Sequence, residues 1–288
     1  MSSIIKNFYQ NIIIRYPLRV ILFFFLILSF FTLHAKNFEL DASADSLILE
    51  NDKDLKIFRE IIKRYDTKDF VIITYKPNDD LFSTKTFKNI QNLKNKLQNL
   101  ENVDEVITLI DLPLLKAANV PLEKLNAEKI KKITDPDIDI NIAKKEILES
   151  PIFKNLIVSE DGQLTSIIVN LKRDEQFIKL LRKRNELKAK EKLNIEEENT
   201  LRQTLIEYDK KKSNLKKINH QTIVFIREII KEFSDIGEIH LGGVPMIADD
   251  MIEFIKSDLI NFGAGVFLFI IITLILVFRE IRWVTIPL

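Results

Sequence analysis

The sequence predicts an α+β domain carried between two membrane-spanning helices. Three observations lead there. Apolar residues gather near the two ends of the chain, while charged residues fill the middle. The stretch 259–278 contains no charged residue, and roughly twenty residues make about 30 Å of helix, the thickness of a bilayer's hydrocarbon core. Between the ends, runs with a helical period alternate with short β-rich runs bounded by turn residues.

Residues 1–17 carry Lys6 and Arg15 and no acid, with Arg19 following, which suits a cytoplasmic N-terminus. Residues 18–35 form the first span, its core rich in Phe and Leu. A cleaved signal peptide is the competing reading, but Leu33-His34-Ala35 is a poor cleavage site and the bulky core suits an uncleaved helix. At the far end of 259–278, Arg279, Arg282 and Trp283 mark an exit into the cytoplasm. Both basic flanks point the same way, so residues 36–258 are expected on the extracytoplasmic side. Residues 279–288 read as a cytoplasmic turn followed by the start of a third span. The chain is therefore expected to be the front portion of a multi-pass protein.

In the middle, residues 40–46 are a polar lead-in with capping residues. Leu55, Phe58, Ile61, Ile62 and Tyr65 recur at helical spacing. A strand is expected over 69–76, then a helix with the stripe Phe87, Ile90, Leu93, Leu97 and Leu100, then a second strand over 103–110. Prolines at 113, 121 and 136 cut the next part into short helical pieces, 122–133 and 140–148 among them. Residues 152–158 and 164–171 flank an Asp161-Gly162 turn and read as a β-hairpin.

Residues 174–219 hold the densest charge in the chain. Phe177, Leu180, Leu181 and Leu187 mark one helix. Asn194, with Glu197 three residues on, caps the start of another. Leu201, Leu205, Tyr208, Leu215 and Ile218 continue it as a narrow seam, so a helical hairpin is expected whose second arm runs on into 223–233. A strand over 237–241 ends at Gly242-Gly243, a turn needing positive φ, and Pro245 fits the first turn of a final helix. Discounting one arm of the β-hairpin, the strand order is a ferredoxin-like split βαβ with a helical hairpin inserted before its second helix.

Composition excludes several functions. Net charge is +1, giving no case for a nucleic-acid partner. The chain has no cysteine, which removes disulfides, thiolate metal sites and cysteine nucleophiles. His34, His220 and His240 are far apart and lack ligand spacing. There is no phosphate-binding glycine loop and no nucleophile elbow, so neither an enzyme nor a cofactor is read here. Asp249, Asp250 and Glu253 are candidates to line a substrate entrance above the membrane. The plainer reading is that acids early in a helix meet its positive end. Gly263 and Gly265 are small enough for close helix packing, although their spacing is not the usual four.

The run Ile239-His240-Leu241-Gly242-Gly243-Val244-Pro245-Met246-Ile247-Ala248-Asp249-Asp250-Met251, followed by Asp258 and the second span, resembles the resistance–nodulation–division (RND) superfamily of exporters in its MMPL-type branch. Leu40-Asp41-Ala42-Ser43-Ala44-Asp45-Ser46-Leu47 is a second match, and the charged stretch 172–219 a weaker third. The resemblance covers essentially the whole chain. It implies a proton-driven exporter of lipids or other hydrophobic compounds in the bacterial inner membrane, with a porter-like outer domain and with proton-carrying acids in spans beyond the second. Neither apolar run here holds a carboxylate, so this chain alone is expected to be inactive. The bilayer and a hydrophobic substrate are the expected partners. The helical hairpin is a candidate dock for a second copy or a periplasmic protein. A two-span structural protein, such as a polysaccharide chain-length regulator, is the alternative. Such proteins place a proline-rich stretch before their second span, whereas only Pro245 lies near it here.

Overall fold

A computed structural model describes residues 14–35, 57, 61, 64, 68–117, 131–190 and 192–279. The chain forms two units, Met1–Ser46 and Leu47–Leu288. Of the first, the structure shows one helix, α1 (Pro17–Ala35), long and apolar enough to cross a membrane. Its Phe and Leu side chains are exposed along most of its length. The lead-in at 40–46, the stripe at 55–65 apart from Ile61, most of the piece at 122–133 and the segment 280–288 lie outside the described residues.

The second unit is built on one four-stranded sheet. Its strands are β1 (Phe70–Pro77), β2 (Val103–Ile107), β3 (Thr165–Leu171) and β4 (Gly237–Gly242). They lie in the order β2-β3-β1-β4, and every neighbouring pair is antiparallel. Consequently β1 and β2 run parallel with β3 between them, and β3 and β4 run parallel with β1 between them. The period of two is plain in β3, where Thr165, Ile167, Val169 and Leu171 are buried and the residues between them are not. Val71, Ile73 and Tyr75 do the same in β1.

Helices connect the parallel strands. Between β1 and β2 runs α2 (Thr84–Gln98), opened by Ser83, whose hydroxyl accepts from the Thr86 amide at 3.2 Å. Its stripe Phe87, Ile90, Leu93 and Leu97 is buried. Between β3 and β4 come α4 (Glu175–Lys188) and the 38-residue α5 (Ile195–Glu232); α3 (Ile140–Glu149) precedes β3. The end of α5 supplies Ile223, Ile226 and Ile229 to a core with Val71, Ile73, Leu93, Leu97, Ile167 and Val169. A second cluster gathers Tyr75, Phe82, Phe87, Leu109, Leu114 and Ile147 around α2 and α3.

The β-hairpin expected over 152–171 is reduced to one arm. Residues 165–171 are β3, but 152–158 turn back on themselves and meet the strand only at its start, through a bridge from Val158 to Thr165 and through the Ile157 carbonyl, which accepts from the Ser166 amide and the Thr165 hydroxyl. Further along, β3 is paired with β1 on one side and with β2 over 168–171 on the other, so the other arm cannot extend beside it.

The last element, α6 (Val244–Phe278), is one helix of 35 residues, about 52 Å long. It leaves β4 across a single residue, Gly243, at φ 116° and ψ 157°. This backbone region is essentially closed to other residues. A Cβ at Gly243 would also lie 3.0 Å from the Val71 Cα and 3.1 Å from the Phe70 carbonyl oxygen. Gly242 is the last residue of β4 and shows no positive φ, so the turn needs one glycine and not two. Pro245 sits in the first turn, as expected. Gly243→Ala should destabilise the chain by about 1–3 kcal/mol. Gly263→Ala, whose added methyl meets nothing within 4 Å, should stay within about 0.5 kcal/mol of wild type. Thermal unfolding in detergent checks both; equal effects would contradict this account of the turn.

Candidate functional site

The site follows from two helices meeting. The first part of α6 carries Met246, which packs against the sheet-facing core, and then the acids that the sequence singles out. Asp249 accepts from His220 Nδ1 with both carboxylate oxygens, at 2.9 and 3.0 Å. Asp250 accepts from one Arg227 guanidinium nitrogen, also with both oxygens, at 2.7 and 2.9 Å. Glu253 lies exposed one turn further along α6.

The plainer expectation for Asp249 and Asp250, that a helix's positive end holds them, does not describe their setting. The helix starts at Val244 and has no acid in its first turn, and the end effect fades beyond that turn. Their negative charge is met instead by side chains on α5, the His220 imidazole and the Arg227 guanidinium. Sequence reasoning missed His220 and Arg227. The signal was present: they stand seven residues apart on α5, and that spacing puts both on one face of a helix.

The carboxylates are more enclosed than their partners. Asp249 is 16% exposed against 52% for His220, and Asp250 26% against 48% for Arg227. The Arg227–Asp250 pair joins a guanidinium to a carboxylate in a charge-assisted hydrogen bond. His220 gives a hydrogen bond in its neutral tautomer with the proton on Nδ1 and an ion pair when protonated. Close by, Asn102 donates to Asn219 and to Thr222, each at 3.2 Å, which fixes the same stretch of α5 to the start of β2.

Beyond this junction α5 continues as the second half of an arm with α4. Asn194 and Glu197 close a capping box as the sequence predicts, the Glu197 amide donating to Asn194 at 2.8 Å and the Asn194 amide to Glu197 at 3.0 Å. The Lys190 ammonium, with the Asn194 amide, holds the Glu197 carboxyl below its usual range. Phe177 of α4 stacks on Tyr208 of α5 with ring centroids 5.2 Å apart. Asp174 caps α4 and pairs with Lys211 of α5 at 2.9 Å. Burial pushes the Asp174 carboxyl up, but the Lys211 and Phe177 N–H donors outweigh it and hold it below the ordinary value.

His34 lies on α1 of the first unit; within the second, His220 lies against Asp249 and His240 opposite Thr74 in the β4–β1 ladder. Comparison with known protein families and with curated proteins finds no match to this chain.

The arrangement ties the arm helix to the helix that carries the apolar run. Arg227→Gln or Asp250→Asn should speed backbone amide exchange over 246–256 about two- to fivefold, the effect of losing a pair worth about 0.5–1 kcal/mol. The double variant should be no faster than either single one. Additive effects would show that the two side chains act independently.

Proposed function

We propose that this chain is the N-terminal part of a proton-driven exporter of the RND superfamily, MMPL-type, which moves lipids or other hydrophobic compounds out of the bacterial inner membrane. The observation that carries the reading is α6. A single unbroken helix starts against the sheet at Gly243 and runs on through the whole apolar stretch 259–278. Movement of the outer domain therefore reaches the membrane without a hinge.

The strand order supports the same reading. Two interlocked β-α-β units, β1–α2–β2 and β3–α5–β4, in the order β2-β3-β1-β4, are the pattern of a ferredoxin-like domain. In this view α4 and the first half of α5 are the helical hairpin inserted before its second helix. With α1 and the later part of α6 as spans, the basic flanks Arg15, Arg19, Arg279 and Arg282 favour a domain outside the cytoplasmic membrane.

Within this scheme the chain's own residues position and transmit. The Asp249–His220 and Asp250–Arg227 pairs hold the arm helix against the rod just above the span. The substrate is hydrophobic and enters from the lipid phase, so Asp249, Asp250 and Glu253 would line its entrance as a polar rim. Neither apolar run holds a carboxylate, so the residues that carry protons belong to other spans.

The test is transport by the complete reading frame, reconstituted in vesicles with a fluorescent lipid and a pH gradient. Gradient-dependent lipid movement is expected. Ser257→Pro, which removes a backbone hydrogen bond and breaks the helix at a cost of about 3 kcal/mol, should lower it at least tenfold. Transport indifferent to the pH gradient, or unchanged by Ser257→Pro, would contradict the proposal.

A further inference from the structure

One face of α6 is left uncovered by the described residues. The helix meets the sheet-facing core through Met246, and α5 through Asp249 and Asp250. About a third of a turn round the helix from these are Val244, Ile247, Met251 and Phe254, which are 71%, 52%, 41% and 65% exposed. Their spacing of three, four and three residues is that of a coiled-coil seam. A bilayer around 259–278 does not cover this seam. Val244 stands 15 residues before Leu259, about 22 Å along the helix.

The sheet decides which segment reaches this face. β1 pairs antiparallel with β4, and Ile72 stands opposite Gly242. One strand of such a pair begins where the other ends, so the chain enters β1 at the point where α6 leaves β4. The approach is close: a Cβ at Gly243 would lie 3.1 Å from the Phe70 carbonyl oxygen. The segment that arrives at Phe70 carries Leu55, Phe58, Ile62 and Tyr65, spaced again by three, four and three. The described positions of this stretch, Ile57, Ile61 and Arg64, are helical and exposed, and their spacing puts them together on another face of the helix. Set antiparallel, the two seams match throughout: Tyr65 on Val244, Ile62 on Ile247, Phe58 on Met251 and Leu55 on Phe254. Residues 66–69 remain to lead the chain into β1.

We infer that the face Val244, Ile247, Met251 and Phe254 is the docking surface for the chain's own segment 55–65, which lies along it as an antiparallel helix. A second copy of the chain fits this face less well. Two copies of α6 crossing one bilayer run parallel, and their seam, continued four residues past Phe254, sets the exposed Asp258 against its twin. The intrachain pairing stops at Phe254 and avoids that repulsion. Its short tether also holds the segment at an effective concentration of about a millimolar. Docking makes the outer part of the rod two-stranded and ties it to the entry of β1 as well as to the end of β4.

The chain has no native cysteine, so pairs of introduced cysteines report contact by forming disulfides. In the 288-residue chain in nanodiscs, Phe58→Cys with Met251→Cys, and Ile62→Cys with Ile247→Cys, should each link on mild oxidation. The product should run as a monomer on non-reducing gels, with the linked peptides identified by mass spectrometry. Phe58→Cys with Glu253→Cys is the control, because two residues along a helix turn the side chain to the opposite face; it should link at least fivefold more slowly. Adding Ile62→Asp should cut the Phe58–Met251 yield at least fivefold, whereas Ile62→Leu should leave it unchanged. Amide protection in β1 and β3, measured on each variant, reports that the sheet is folded. With the sheet protected, failure of both seam pairs to link overturns the inference, as does a control pair that links as fast as they do. Disulfide-linked dimers formed by Met251→Cys alone would give the face to a second copy and overturn it too.

Discussion

A one-residue connection governs how this chain behaves. β4 ends at Gly242 and α6 begins at Val244, so only Gly243 separates a strand from a 35-residue helix. Such a link has almost no freedom, because its φ and ψ lie where only glycine is stable and an added Cβ would press against Val71 and Phe70. Met246, one turn on, is anchored to the core. The strand's position in the sheet thus sets the helix's direction, and the helix carries that direction into its apolar stretch.

The second constraint is the length of α5. Its last third is core, with Ile223, Ile226 and Ile229 packed under the sheet. Its first half is arm, held to α4 by Phe177 on Tyr208 and by Lys211 on Asp174. One helix therefore belongs to two structures, and it meets α6 where it passes from one to the other. The Asp249 and Asp250 pairs sit at that meeting. Partly exposed pairs are individually weak; here they join two helices.

Much of this was legible in the sequence because it is local. The stripe Phe87, Ile90, Leu93 and Leu97, the reciprocal cap of Asn194 and Glu197, and the unbroken run after Pro245 each state their own structure within a few residues. What was not legible depends on residues far apart. Residues 152–158 have a strand's composition, yet β1 lies on one side of β3 and β2 takes 168–171 on the other, and no local pattern could report that. Asp249 and Asp250 read locally as acids near a helix start. Their partners lie 29 and 23 residues earlier on a different helix, brought to them only by the fold.

The central claim is that α6 is one continuous rod from the sheet into the bilayer, and a distance measures it directly. Spin labels at Ile247→Cys and Phe269→Cys, both on exposed side chains, are separated by 22 residues, about 33 Å along an unbroken helix. Pulsed electron–electron distance measurements on the chain in nanodiscs should give one narrow distribution near that value. A broad distribution, or a main distance several ångströms shorter, would mean that the helix bends or breaks between the outer domain and the membrane, and the mechanical coupling argued here would fail.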